Sequence, residues 1–133
     1  MTHIPATDLA TEIGTQVGSL TLGTNLFAST IRAPNSNIPK DSVFVWGSGG
    51  IEPLRTMGDP DEIRTALVHV QVRSAKFAAG STLAHLIIDS LRGDDVLTYL
   101  EVATAKSEPM ALGEDSDGNH YFGFEYLMTY QEP

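Results

Sequence analysis

The sequence predicts an α+β single domain: a twisted, mostly antiparallel sheet of about four strands with two helices packed on one face. Two observations carry this. Residues 62–73 read as the clearest strand, with Val68, Val70 and Val72 on one side and His69, Gln71 and Arg73 on the other, which is the period-two signature of a half-covered sheet. Residues 75–91 then place Phe77, Leu83, Ala84, Ile87, Ile88 and Leu91 on a broad apolar stripe at helical spacing. A strand followed so closely by an amphipathic helix is a βα unit, and the remaining elements build outward from it.

The other elements follow in chain order. Residues 7–20 read as a first helix: Leu9, Ile13, Val17 and Leu20 fall at spacings of four, four and three, Thr7 or Asp8 is available as a cap, and Gly14 and Gly18 weaken it. A turn around Gly23 leads to a short extended stretch through Leu26 and Phe27. Residues 33–39 hold two prolines and two asparagines and read as a loop. A strand over 42–46 is expected to stop at Gly47-Ser48-Gly49-Gly50, and residues 52–60 read as an irregular, exposed excursion. Arg92 and Gly93 supply a basic last turn and a stop for the second helix. Strands over 98–106 and 121–130 form a hairpin, the second with Phe122, Phe124, Tyr126, Met128 and Tyr130 on one face. Between them, residues 108–120 read as a long acidic loop.

Composition narrows the chemistry. The chain has 133 residues, enough to bury a core without disulfides or metals. There is no cysteine, so disulfides, thiolate metal ligation and cysteine nucleophiles are all excluded. No run approaches the roughly 20 apolar residues that span a bilayer, and the N-terminus has no signal-peptide pattern; folding in a cytoplasm is expected. The net charge of −9, from 17 carboxylates against 8 Lys and Arg, disfavours conventional nucleic-acid binding. The same charge serves solubility, or an acidic wall past which a polyanion slides without sticking.

No site motif meets its spacing. Asp115-Ser116-Asp117-Gly118-Asn119 opens like a calcium loop, yet the sixth position is His120 and the twelfth is Tyr126, where glycine and glutamate are required. The alternative is a tight turn at a hairpin tip. Gly47-Ser48-Gly49-Gly50 is followed by Glu52-Pro53 rather than by a helix whose amides hold a phosphate. His3, His69, His85 and His120 lie on four separate elements, and no G-x-S-x-G elbow is present. Catalytic residues, cofactor and metal are therefore all read as none. Phe27, Trp46 and Met57, with Arg32 and Arg55, border the expected loops. They either cap edges of the core or anchor an interface, where aromatic, Met and Arg side chains dominate binding energy. Arg73 joins this candidate contact set.

The order of these features resembles the tail terminator and minor capsid proteins of tailed bacteriophages over nearly the whole chain. It runs from the N-terminal amphipathic helix through Asn25-Leu26-Phe27, the proline-rich loop, Val43-Phe44-Val45, Gly49-Gly50 and Pro53. Its most specific piece is Gln71-Val72-Arg73-Ser74 leading into the helix that ends at Leu91-Arg92-Gly93. The second helix carries fewer charged residues than the family pattern. The resemblance implies an α+β subunit of a homo-hexameric ring at the head-proximal end of the tail, located in the virion after assembly in the host cytoplasm. Such a ring stops tail-tube polymerisation and offers a surface to the neck; it has no catalysis and no cofactor, and DNA passes through its opening. Identical heterologous contacts close such rings, and exposed strand edges are natural docking rails. Loops at 33–39, 47–60 and 107–120 would meet tube or neck. A head–tail connector is the alternative assembly role, and a small hydrolase or ligand-binding module, which needs a concave pocket, the alternative of another class.

Overall fold

Proline can open a helix because its missing N–H is not needed in the first turn, and helix α1 (Pro5–Gln16) opens this way. The computed structural model describes residues 4–29, 41–55, 62–91, 99, 101–104 and 108–132. No helix among them is long and apolar enough to cross a membrane. The Asp8 carboxylate takes the Ile4 amide at 3.3 Å and the Tyr99 hydroxyl at 2.6 Å, satisfying one free N–H of the first turn while tying the helix to the far end of the chain. Helix α1 stops four residues earlier than expected, with Val17 extended. Val17 and Leu20 nevertheless remain in the core; the apolar spacing is met by a turn, which Asn25 clips by accepting from the Thr21 amide at 2.6 Å and donating to the Ser19 carbonyl at 3.0 Å.

Among the described residues six strands, not about four, make one mixed sheet. Strand β1 (Leu26–Phe27) runs parallel to β2 (Ser42–Arg55), and β2 pairs antiparallel with β3 (Glu62–Ser74). Strand β6 (His120–Glu132) pairs with β3 on one side, and on the other with both β4 (Glu101–Thr104) and β5 (Met110–Glu114), all antiparallel. Helix α2 (Phe77–Leu91) follows β3.

Three expectations are corrected here. The glycine run does not end the second strand. Between Gly47 and Gly50, and again between Ile51 and Leu54, two residues of β2 stand opposite one of β3. These are β-bulges, which glycine at positive φ (Gly49, 97°) and Pro53, with no N–H to offer a ladder, both suit. The expected excursion is therefore strand as far as Arg55. Within the expected acidic loop at 108–120, residues 110–114 are strand and His120 opens β6, so residues 115–119 form the turn between β5 and β6. Strands β4 and β5 share one edge of β6, β4 pairing with residues 126–129 and β5 with residues 120–123. The loop read at 33–39 and the helix stop at Arg92-Gly93 lie outside the described residues.

Val43, Val45, Val68, Val70 and Val72 join Phe122, Phe124, Tyr126, Met128 and Tyr130 on one face of the sheet. Leu9, Ala10 and Ile13 of α1 and Ala84, Ile87, Ile88 and Leu91 of α2 pack against them in a single core. Helix α2 approaches β6 through Gly80, where an added Cβ would lie 2.8 Å from a ring carbon of Phe122 and 3.0 Å from the Ser74 Cβ. At the strand–helix junction the Ala75 amide donates to Asp41 Oδ1 at 3.0 Å and the Lys76 amide to Ser74 Oγ at 3.3 Å.

Candidate interaction face

Alternation sends every second residue of β2, β3 and β6 to the face away from the helices. Cross-strand register lines up Ser42, Arg73 and Tyr121 in one row, Phe44, Gln71 and Gly123 in the next, then Trp46, His69 and Glu125. Further along come Leu67, Leu127 and Ala103, and then Thr65, Thr129 and Glu101, with the two threonine hydroxyls 3.2 Å apart. Neither helix contributes to this face.

Side chains on this face pack against one another. Phe27 stacks on Phe44 with ring centroids 5.6 Å apart and planes at 20°. The Arg73 guanidinium lies 5.2 Å from the Phe44 centroid, a cation–π contact that gains from the exclusion of water, and Phe44 and Arg73 are both wholly buried. Trp46 and His69 pack at 4.5 Å and 42°. Gly123 makes room for this layer. A Cβ there would meet Leu112 Cδ1 at 2.8 Å and the His69 ring at 3.2 Å.

One end of the face is fixed by Asp115. Its Oδ1 accepts from the amides of Asp117 (2.9 Å) and Asn119 (3.0 Å), and its Oδ2 from the Tyr121 hydroxyl (2.7 Å) and Asn119 Nδ2 (3.3 Å). The Tyr121 bond foremost, then the Asn119 amide, pull the Asp115 carboxyl down to about 2. Burial, then the Asp115 bond, push the Tyr121 phenol up, while Arg73 acts in the opposite sense. The calcium-like segment is thus a turn whose first carboxylate already faces four donors, leaving its lone pairs directed at the chain itself.

Three of the six candidate contact residues, Phe27, Trp46 and Arg73, come together on this face, in strands rather than beside loops. Arg73 is buried over Phe44 rather than projecting from the face. Arg55 ends β2, and Arg32 and Met57 lie outside the described residues. Residues that sequence reasoning left out of the contact set are Phe44, His69, Leu67, Leu127, Met110 and Leu112. The unbroken apolar run Val43-Phe44-Val45-Trp46 was the available signal, since such a run marks a strand covered on both sides. Trp46, Leu67, His69 and Leu127 remain half-buried, while Met110 and Leu112 at the rim are 49% and 45% exposed.

Two of the shallow depressions on the described surface bear on the hydrolase or ligand-binding alternative. One, on the rim of this face, is lined by Gln71, Leu112, Gly113, Glu114, Asp115 and Tyr121; the other, on α2, by Ser81, Thr82, His85, Leu86 and Asp89. In the second, Ser81, His85 and Asp89 stand a helical turn apart. His85 Nδ1, however, lies 2.8 Å from the Ser81 backbone carbonyl and Nε2 2.8 Å from Glu108, so neither ring nitrogen is aimed at a hydroxyl as a nucleophile's base would be.

No family model matches the chain, and no curated protein matches it.

Proposed function

We propose that this chain is a structural virion protein of the tail-terminator kind, a subunit of a six-membered ring that ends tail-tube polymerisation and joins the tail to the neck. The observation that carries it is the sheet face opposite the helices. There Phe27, Phe44, Arg73, Trp46 and His69 hold one another in place, and partly exposed Leu67, Leu127, Met110 and Leu112 surround them. A layer of aromatic and aliphatic groups that neither α1 nor α2 backs is suited to docking on protein, because pre-ordered side chains lose little entropy on binding. The order of sequence features that resembles the terminator family supplies the particular role. On this reading the partners are copies of the chain, a tail-tube protein and a neck protein, no chemical step is performed, and the −9 charge keeps passing DNA from adhering.

The test is polymerisation of a tail-tube protein with and without the purified chain, viewed by negative-stain microscopy beside light scattering of the chain alone. Rings of six copies seated on tubes of limited length are expected. A chain that stays monomeric at high concentration and leaves tube length unchanged overturns the proposal. In infected cells, loss of the chain should yield overlong tails; tails of normal length lacking heads would assign it to the connector instead.

A further inference from the structure

Strand β5 is the most exposed strand of the described sheet, with all five residues on the surface, and among the described residues it pairs only with β6. Its two ends carry related contacts. Glu114, its last residue, lies across from His120 with Oε2 3.5 Å from Nε2, and the His120 ring packs edge-on against Phe77 at the start of α2. Two residues before β5, Glu108 Oε2 sits 2.8 Å from His85 Nε2 on α2.

The His85 geometry specifies a charge state. Nδ1 meets a backbone carbonyl and Nε2 meets a carboxylate. Both partners accept only, so both ring nitrogens must donate, and only the imidazolium carries two N–H groups. A neutral ring keeps one contact and loses the other. We propose that His85 and Glu108 form a pH-sensitive pin that fixes the start of edge strand β5 to helix α2, holding this rim of the candidate interaction face in mildly acidic conditions and releasing it as the imidazole loses its proton. Among the described residues the charged groups facing the ring are Glu108 from the β5 side and Asp89 from α2 itself, and both favour the cation. The Ser81 carbonyl, then Glu108, raise the His85 pKa above its ordinary 6.5. For a raised histidine the contribution is complete below 6.5 and disappears as pH climbs through the folded-state value. The inference does not depend on the ring proposal, since the pin is internal to one chain.

The experiment is amide hydrogen exchange of residues 108–114, corrected for intrinsic rates, at about pH 5.5 and about pH 8, beside an NMR titration of the His85 ring. Expected is a His85 midpoint above 6.5, with opening of the segment rising about two- to fivefold across that midpoint, the scale of an exposed pair. In Glu108→Gln, whose side chain is 73% exposed and whose loss leaves the core untouched, the midpoint should fall and the pH-dependent step should vanish. His120→Gln should retain the step, because the other end of the strand is held separately. A His85 midpoint at or below 6.5, or exchange of 108–114 that does not follow the His85 titration, overturns the inference.

Discussion

Arg73 shows what a single charged side chain can do when the fold buries it. Its guanidinium covers the Phe44 ring and acts on the Tyr121 phenol, whose hydroxyl holds Asp115. Removing the cation leaves the Phe44 ring uncovered and a cavity beside it. Arg73→Ala should therefore cost about 3 kcal/mol in urea unfolding, and Arg73→Lys should recover less than half, since a compact ammonium cannot lie flat on the ring. Equal stability of the Lys variant and the parent would show that charge alone matters. Asp115 gives a second prediction at this scale. Its carboxyl is depressed to about 2, so its contribution is present above the ordinary 3.8 and is lost only as pH falls through about 2. Tyr121→Phe removes the leading cause of that depression. In carbon-13 NMR titrations the Asp115 midpoint should move up toward 3.8, and the turn at 115–119 should loosen in weaker acid.

The contact between α2 and β6 depends on a missing side chain. Gly→Ala in an exposed helix interior ordinarily stabilises by about 1 kcal/mol. At Gly80 the added methyl would sit 2.8 Å from Phe122 and 3.0 Å from Ser74 Cβ, a clash in which the latter atom can hardly move. Gly80→Ala should therefore destabilise by about 1–3 kcal/mol, read as a lower urea midpoint with unchanged slope; a stabilised variant would mean that the helix lifts off freely. Elements with long, regular patterns, β3, α2 and β6, were legible in the sequence because one periodicity runs through each. Strand β5 was not: Met110-Ala111-Leu112-Gly113 is short, glycine-containing and embedded in acidic residues, so its local preference reads as loop until β6 supplies the ladder. The bulges of β2 escaped for a related reason. Glycine signals conformational freedom, and only the partner strand decides whether that freedom ends a strand or bends it.

At the scale of the whole molecule, charge and apolar surface oppose one another. Identical copies of a chain with charge −9 repel, and added salt screens that repulsion while leaving an apolar contact intact. If the ring forms through the helix-free face, raising salt from about 20 mM to about 150 mM should strengthen self-association in sedimentation velocity. Weakening over that range would point to ion pairs as the contact. The sequence by itself determined the α+β class, the two helices, the alternation that divides core from opposite face, and the acidity, because each is a local or additive property of the residues. The tertiary structure decided that the described strands number six and that Arg73 lies over Phe44. It also decided that Gly123 makes room for His69 and Leu112, and that His85 meets Glu108 across 23 residues of chain. Those outcomes depend on register and on which strands become neighbours, and contacts between distant residues leave no period in the chain that makes them.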